Sequence, residues 1–162
     1  MAKSGYSITT EGAVALGAAT AKTILGVKSG ATTANHGVDL KKFRVSFDGV
    51  TASAVPVVVE VCLCSFSANA PGTNSTALAT PGIVQAYGRA PATGFTAAKN
   101  WTTEPTALTV IESFLLTPNG GVVFYDWPLG DTPDSALGEG FAIRCTAPAT
   151  VNVRAGMLFE RC

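Results

Sequence analysis

Apolar and polar residues alternate over several short segments of this chain, and this alternation restricts what it can fold into. In Lys41–Phe47, the apolar residues Phe43, Val45 and Phe47 are separated by polar ones. Because successive side chains of a β-strand point to opposite faces, the pattern predicts a strand with one buried face. Three further segments with the same period are predicted strands: Val55–Leu63, Phe141–Thr146 and Val151–Glu160.

Weaker strand signals fill the intervals between these segments. They cover Thr20–Val27, Ile83–Tyr87, Ala107–Leu116 and Val122–Asp126. Turn signals such as Asp48-Gly49 separate them, and 17 glycines and nine prolines argue against long helices. About eight to ten short strands with such turns predict an all-β fold, an antiparallel β-sandwich that is jelly-roll-like.

The predicted domain organisation is an N-terminal arm over residues 1–19 and one β-sandwich domain over residues 20–162. The arm is expected to extend from the sandwich because its residues are small and nearly free of charge. A chain of 162 residues is long enough to enclose one core. Two long predicted loops, Ser67–Thr80 and Arg89–Thr106, are candidates for function, since long loops in compact domains often carry it.

Charge is scarce in this sequence. Charged residues make up 14% of the chain, and eleven basic residues balance eleven acidic ones. A protein that binds nucleic acid through its phosphates needs a basic surplus, so we expect no direct nucleic-acid partner. No apolar stretch is long enough for a membrane helix, so no membrane partner is expected. A surface with so little charge is poorly protected against association, which favours a component of an assembly.

The sequence contains no residue pattern typical of catalysis. Its only histidine, His36, lies in a predicted loop, and no nucleophile motif accompanies it. Glu60 and Glu112 lie in predicted strands, where a sandwich glycosidase would hold its two acids, and this remains an alternative. We predict that the chain is not an enzyme and that it has no catalytic residues and no cofactor.

Metal binding and disulfides are also not favoured. Cys62 and Cys64 are two residues apart in a predicted strand, so they share a face and bridge each other poorly. No paired cysteine or histidine spacing typical of zinc is present, and free thiols are favoured over a disulfide. Three aspartates in one predicted loop loosely resemble a calcium site but match no EF-hand spacing: Asp126, Asp131 and Asp134.

Aromatic residues near predicted loops are the remaining candidates for binding. Trp101, Trp127 and Tyr87 are candidate sugar-stacking or interface residues, and packing at the edge of the core explains them equally well. Lys42 and Arg44 are predicted on one outward strand face. This indicates a solvated or intersubunit patch rather than a nucleic-acid site.

Several segments resemble small β-sandwich virion proteins of tailed bacteriophages. The resemblance lies in strand and turn patterns between Thr20 and Glu160, carried by Ala21–Val27, Val45–Ser53, Pro56–Glu60, Gly138–Ala147 and Val151–Glu160. It implies a capsid decoration (cement) protein, commonly a homotrimer and often jelly-roll-like. Such a protein is made in the host cytoplasm and binds the major capsid protein across capsomers, on the capsid exterior. The alternative is a carbohydrate- or receptor-binding sandwich module of a tail or fibre.

Overall fold

The computed structural model describes residues 4–30, 36–48, 55–79, 82–88 and 94–162. In these residues no helix forms, and so none is long and apolar enough to cross a membrane. The described strands are β1 Gly5–Thr9, β2 Val14–Leu16, β3 Ala21–Ser29, β4 Val38–Phe47, β5 Val57–Cys64, β6 Thr76–Ala77, β7 Val84–Tyr87, β8 Phe95–Lys99, β9 Leu108–Leu116, β10 Val122–Asp126, β11 Gly140–Thr146 and β12 Val151–Arg161.

The strands form two antiparallel sheets. In the first sheet the order is β10-β4-β12-β1-β7, and β2 also pairs with β12. In the second sheet the order is β6-β8-β3-β11-β5-β9. The prediction of an all-β fold with antiparallel sheets, as in a β-sandwich, is confirmed. The twelve described strands exceed the predicted eight to ten.

The core lies between the two sheets and follows the alternation of their strands. On β4, Phe43, Val45 and Phe47 point inward and are buried, whereas Arg44 between them is exposed. On β12, Val153 and Met157 are the buried counterparts. Removing these side chains from water is the main favourable term in forming such a sandwich.

Of the arm predicted for residues 1–19, the structure describes residues 4–19, and these contain strands β1 and β2 of the first sheet, whereas residues 1–3 lie outside the described residues. Strand β1 lies inside the first sheet, paired with β12 on one side and with β7 on the other. Its side chains Tyr6 and Ile8 are each only 1% exposed. Two inward residues in a short neutral segment give only a weak alternation. The sequence therefore does not show whether this segment forms a strand of the sheet or an arm outside it.

The other strands that the sequence does not predict are short. The two-residue strand β6 lies in the predicted loop Ser67–Thr80, and β8 lies in the predicted loop Arg89–Thr106. Strand β8 reads Phe-Thr-Ala-Ala-Lys, with one large apolar residue. β8 pairs with β3, and β6 pairs with β8, so both depend on the rest of the second sheet. The local sequence pattern alone is therefore not sufficient to predict these two strands.

The four cysteines are free thiols, three of them buried in or between the sheets. Burial raises the pKa of Cys62 to about 12 and that of Cys64 to about 11, from 9.0. Burial also raises the pKa of Cys145. Neutral thiols in these positions are weak nucleophiles, because the thiolate is the reactive form.

These pKa values predict a loss of stability at alkaline pH. Since the folded-state pKa lies above the unfolded value, the contribution of each thiol is complete below pH 9.0 and is lost as the pH rises towards 11 to 12. Urea unfolding at increasing pH should show a falling free energy of unfolding over this window. Cys62→Val should make the fall shallower, since one titrating thiol is removed, and an unchanged slope would contradict the assignment.

Candidate functional site

Trp101 lies in a small second core on the outer face of the second sheet. Its ring is 1% exposed and stacks on Phe66 at 6.3 Å between centroids. Its Nε1 donates a hydrogen bond to the carbonyl oxygen of Asn69 at 2.8 Å. Gly26 makes room for it, because a β-carbon there would lie 2.9 Å from the ring. In this conformation Trp101 is not available to stack on a sugar or to anchor an interface.

The loop that covers Trp101 is fixed to the sheet by Glu104. The two carboxylate oxygens of Glu104 accept hydrogen bonds from the backbone N–H and the hydroxyl of Thr23, at 2.7 and 2.6 Å. Its carbonyl oxygen accepts a third bond, from the side-chain amide of Asn69. The predicted functional loop Ser67–Thr80 thus includes part of the cover of this second core.

Tyr87 and Trp127 line one groove of about 620 Å³ on the outer face of the first sheet. The hydroxyl of Tyr87 donates a hydrogen bond to Oε1 of Glu160 at 2.5 Å. The Tyr87 ring crosses the bare backbone of Gly5 to reach it, since a β-carbon on Gly5 would overlap the ring. Trp127 is half-buried against Phe43, with centroids 5.2 Å apart. The structure thus brings together two of the three predicted site residues.

The floor of this groove is a polar network centred on Lys41. Its ammonium lies 2.5 Å from Oδ2 of Asp39, 3.4 Å from Oε2 of Glu160 and 3.2 Å from the hydroxyl of Thr132. Burial lowers the pKa of Lys41, but the bond and charge of Asp39 outweigh it, so the pKa lies above its usual value. Burial and the bond to Glu160 raise the pKa of Tyr87. At neutral pH the groove therefore presents a charged ammonium and a neutral phenol.

The outer face of the first sheet continues beyond this groove towards Arg44. The ion pair of Lys42 with Asp126, at 2.6 Å, borders the groove, and a second hollow of about 410 Å³ follows it. Gly156 lies in the floor of this second hollow, and Arg44 lies across it. Phe124, directly opposite Arg44 in the ladder, is 74% exposed.

Strands β9 and β10 are the last strands of their sheets and expose apolar side chains. Within the described residues no strand pairs with the outer side of either one. The opposite ends of both sheets are occupied by the two-residue β6 and the four-residue β7. We call the exposed apolar residues of β9 and β10 the open edge: Val110, Ile111, Leu115, Val122 and Phe124.

Glu60 and Glu112 do not form the acid pair of a glycosidase. Glu60 pairs in the ladder with Ser113, whereas Glu112 pairs with Val61. Adjacent residues of a strand point to opposite faces, so the two carboxylates lie on opposite sides of the sheet. Glu60 also accepts a hydrogen bond from Nε of Arg144 at 2.7 Å. The two acids are therefore unable to flank one glycosidic bond.

His36 and the acidic residues form no metal-binding group in the described part of the chain. The ring of His36 packs on Phe95 at 4.8 Å, and its pKa is lowered by burial and by the charge of Arg161. No three histidine, cysteine or acidic side chains among the described residues lie close enough to hold a metal ion.

Comparison with protein-family models, with curated proteins and with solved structures finds no significant match for this chain.

Sequence reasoning partly located the outer face of the first sheet. It predicted Lys42 and Arg44 on one outward strand face, and both side chains are exposed there. Arg154 alternates with inward residues of β12 and carries the same signal. The outward position of Phe124 has no such signal, because apolar and polar residues do not alternate in the β10 sequence Val-Val-Phe-Tyr-Asp.

The buried position of Trp101 predicts that its removal destabilises the protein. Trp101→Ala should lower the free energy of unfolding by about 3 to 5 kcal/mol, because it leaves a cavity and removes the cover of Phe66. Trp101→Phe should cost less, since an aromatic ring still covers Phe66. Its remaining cost comes from the smaller ring and from the lost hydrogen bond to Asn69. Leu129→Ala is the control, because Leu129 is 98% exposed. Thermal unfolding measures all three, and a wild-type melting temperature for Trp101→Ala would contradict the burial.

Proposed function

We propose that this chain is a structural protein of a tailed-bacteriophage virion, a capsid decoration (cement) protein. It associates with its own copies, as a homotrimer, and binds the major capsid protein on the capsid exterior. The observation that carries the proposal is the open edge, because it is a surface that a monomer leaves in water.

Exposed edge strands are usually protected in proteins that remain monomeric. Short strands, charged residues or covering loops block pairing with another chain. β6 and β7 are short and fit this description, but β9 has nine residues and only Glu112 among them is charged. Leu115 is 66% and Phe124 is 74% exposed. Contact with another subunit would remove these side chains from water.

The strand order supports a jelly roll, which we infer as the topology. Eight strands are counted for this purpose: β1, β3, β4, β5, β9, β10, β11 and β12. In the first sheet their order is first, eighth, third, sixth, and in the second sheet it is second, seventh, fourth, fifth. This is the arrangement of two interleaved Greek keys, which occurs in viral capsid proteins and in lectins. It agrees with the resemblance to phage virion proteins and also with the carbohydrate-binding alternative.

Low charge fits such a role. The net charge is zero and charged residues are few, so copies of the chain do not repel one another. A decoration protein stabilises a shell because it binds the assembled form and not the separate capsomers. Several copies held in one oligomer bind neighbouring capsomers together, which strengthens the attachment.

Self-association is the first test. Multi-angle light scattering should give a solution mass near three times the 16.5 kDa of the chain. Leu115→Ser and Phe124→Ser should lower this mass, because each places a polar group in the contact. Val84→Ser is the control, since Val84 is also an exposed apolar residue of a strand but lies on β7, away from the open edge. A monomeric wild-type protein at all concentrations would overturn the homotrimer.

Membership of a virion needs a separate measurement. Particles purified on a density gradient from the organism that carries this gene should contain the chain at a fixed ratio to the major capsid protein. Particles without it should release their DNA at a lower temperature. If purified particles do not contain the chain, the virion role is wrong even if the protein is trimeric.

One observation favours the second candidate, a carbohydrate-binding module. Tyr87 and Trp127 line the same groove, next to the ammonium of Lys41 and the carboxylate of Glu160. Aromatic rings beside polar groups that donate and accept hydrogen bonds suit the apolar faces and hydroxyls of a sugar.

A glycan array tests this candidate. If the groove binds a sugar, Tyr87→Ala should abolish the signal and Val84→Ala, on the same strand outside the groove, should preserve it. Thermal unfolding of both variants checks that the fold is kept. Absence of binding to any glycan by the wild-type protein would count against the module.

A further inference from the structure

Arg44 and Arg154 are two exposed arginines side by side on the outer face of the first sheet. In the β4–β12 ladder Arg44 faces Gly156 and Arg154 faces Ser46, so the two arginines are diagonal neighbours. Such neighbours are about 7 to 8 Å apart. A side chain at Gly156 would press on Arg44, because its β-carbon would lie 2.7 Å from Nε. The glycine therefore allows Arg44 to lie across β12.

Neither arginine has a carboxylate partner in the part of the chain that the structure describes. The ion pairs found there use Lys41, Lys42, Lys99 and Arg144. Arg44 and Arg154 line a further hollow of about 350 Å³ together with Glu11, but the Glu11 carboxylate already binds Lys99 and the backbone N–H of Ala79. Two adjacent positive charges without a counter-charge are unfavourable, and an incoming carboxylate would relieve this.

Apolar side chains border the two arginines. Phe124 lies opposite Arg44, and Val122 lies opposite Ser46, both on β10 and both exposed. The same hollow is lined by the hydroxyl-bearing residues Thr9 and Ser46. The surface therefore fits a carboxylate that is itself surrounded by apolar side chains.

Glu112 on β9 has this character. It is half-buried, and its described contact is a hydrogen bond that its Oε1 accepts from the backbone N–H of Ser113. No lysine or arginine of the described residues forms an ion pair with it. In the ladder Glu112 lies opposite the core residue Val61, so it points to the core-facing side of the second sheet at its unpaired edge, next in the chain to the exposed Ile111.

We propose that Arg44 and Arg154 of one copy bind Glu112 of a second copy, with Phe124 and Val122 packed against the exposed apolar residues of β9. This rests on the self-association in the proposed function and names the surfaces that meet. In the proposed homotrimer each copy offers the arginines to one neighbour and Glu112 to the other, so the contact is heterologous and closes into a ring.

Charge reversal tests the contact by light scattering at a series of concentrations. Glu112→Arg and the double variant Arg44→Glu/Arg154→Glu should each weaken association about a hundredfold or more, because like charges then meet. The triple variant that combines these changes should recover association, since the pair is restored with opposite signs. Asp131→Arg is the control for net charge alone, and Asp131 lies in an exposed turn.

The outcomes separate this contact from the proposed function. If the wild-type protein is monomeric, self-association itself fails. If it is oligomeric and Glu112→Arg leaves the mass unchanged, the association is real and this contact is wrong. If both reversals disrupt the oligomer but the triple variant does not recover, the residues do not meet each other. An equal effect of Asp131→Arg would also overturn the specific pairing. Circular dichroism must show that each variant keeps the β fold.

Discussion

The register between β4 and β12 is the constraint on which both the core and the candidate surface depend. Opposite residues such as Val45 and Ala155 both point inward and are buried. Their neighbours Arg44 and Arg154 point outward, to the face that carries the groove and the arginine pair. A slip of one residue would exchange the two faces, placing arginines in the core. The cost of burying those charges specifies the register, and with it every outward residue of the candidate surface.

Alternation explains how much of this was predictable from the sequence. The predicted strand Val151–Glu160 nearly coincides with β12, and the predicted Lys41–Phe47 lies within β4. The outward position of Arg44 follows from the same pattern. The buried strand β1 was missed because it is short, and its place is fixed by backbone pairing with β12 and β7, which are distant in sequence. Local periodicity carries no information about such partners.

The aromatic candidates show why residue type alone was not enough to find a site. Trp101 and Trp127 both lie beside predicted loops, but Trp101 is enclosed because Gly26 leaves space for its ring and Glu104 fixes its cover. Trp127 lines one groove with Tyr87, whose ring reaches it across β1 because Gly5 has no side chain. Each position depends on a glycine that is distant in sequence, Gly26 for Trp101 and Gly5 for Tyr87. The residues next to the aromatic side chain therefore do not predict whether it is enclosed or lines a groove.

An open edge on a chain of zero net charge raises the question of how the proposed self-association would be kept specific. Apolar contacts such as those of Leu115 and Phe124 are not directional and would accept many orientations of a second copy. Charged residues limit these orientations, since a wrong alignment buries a charge without a partner and costs several kcal/mol. In the contact proposed above, Glu112 on one surface and the two arginines on the other would select one orientation, because the opposite charges are paired only in that alignment.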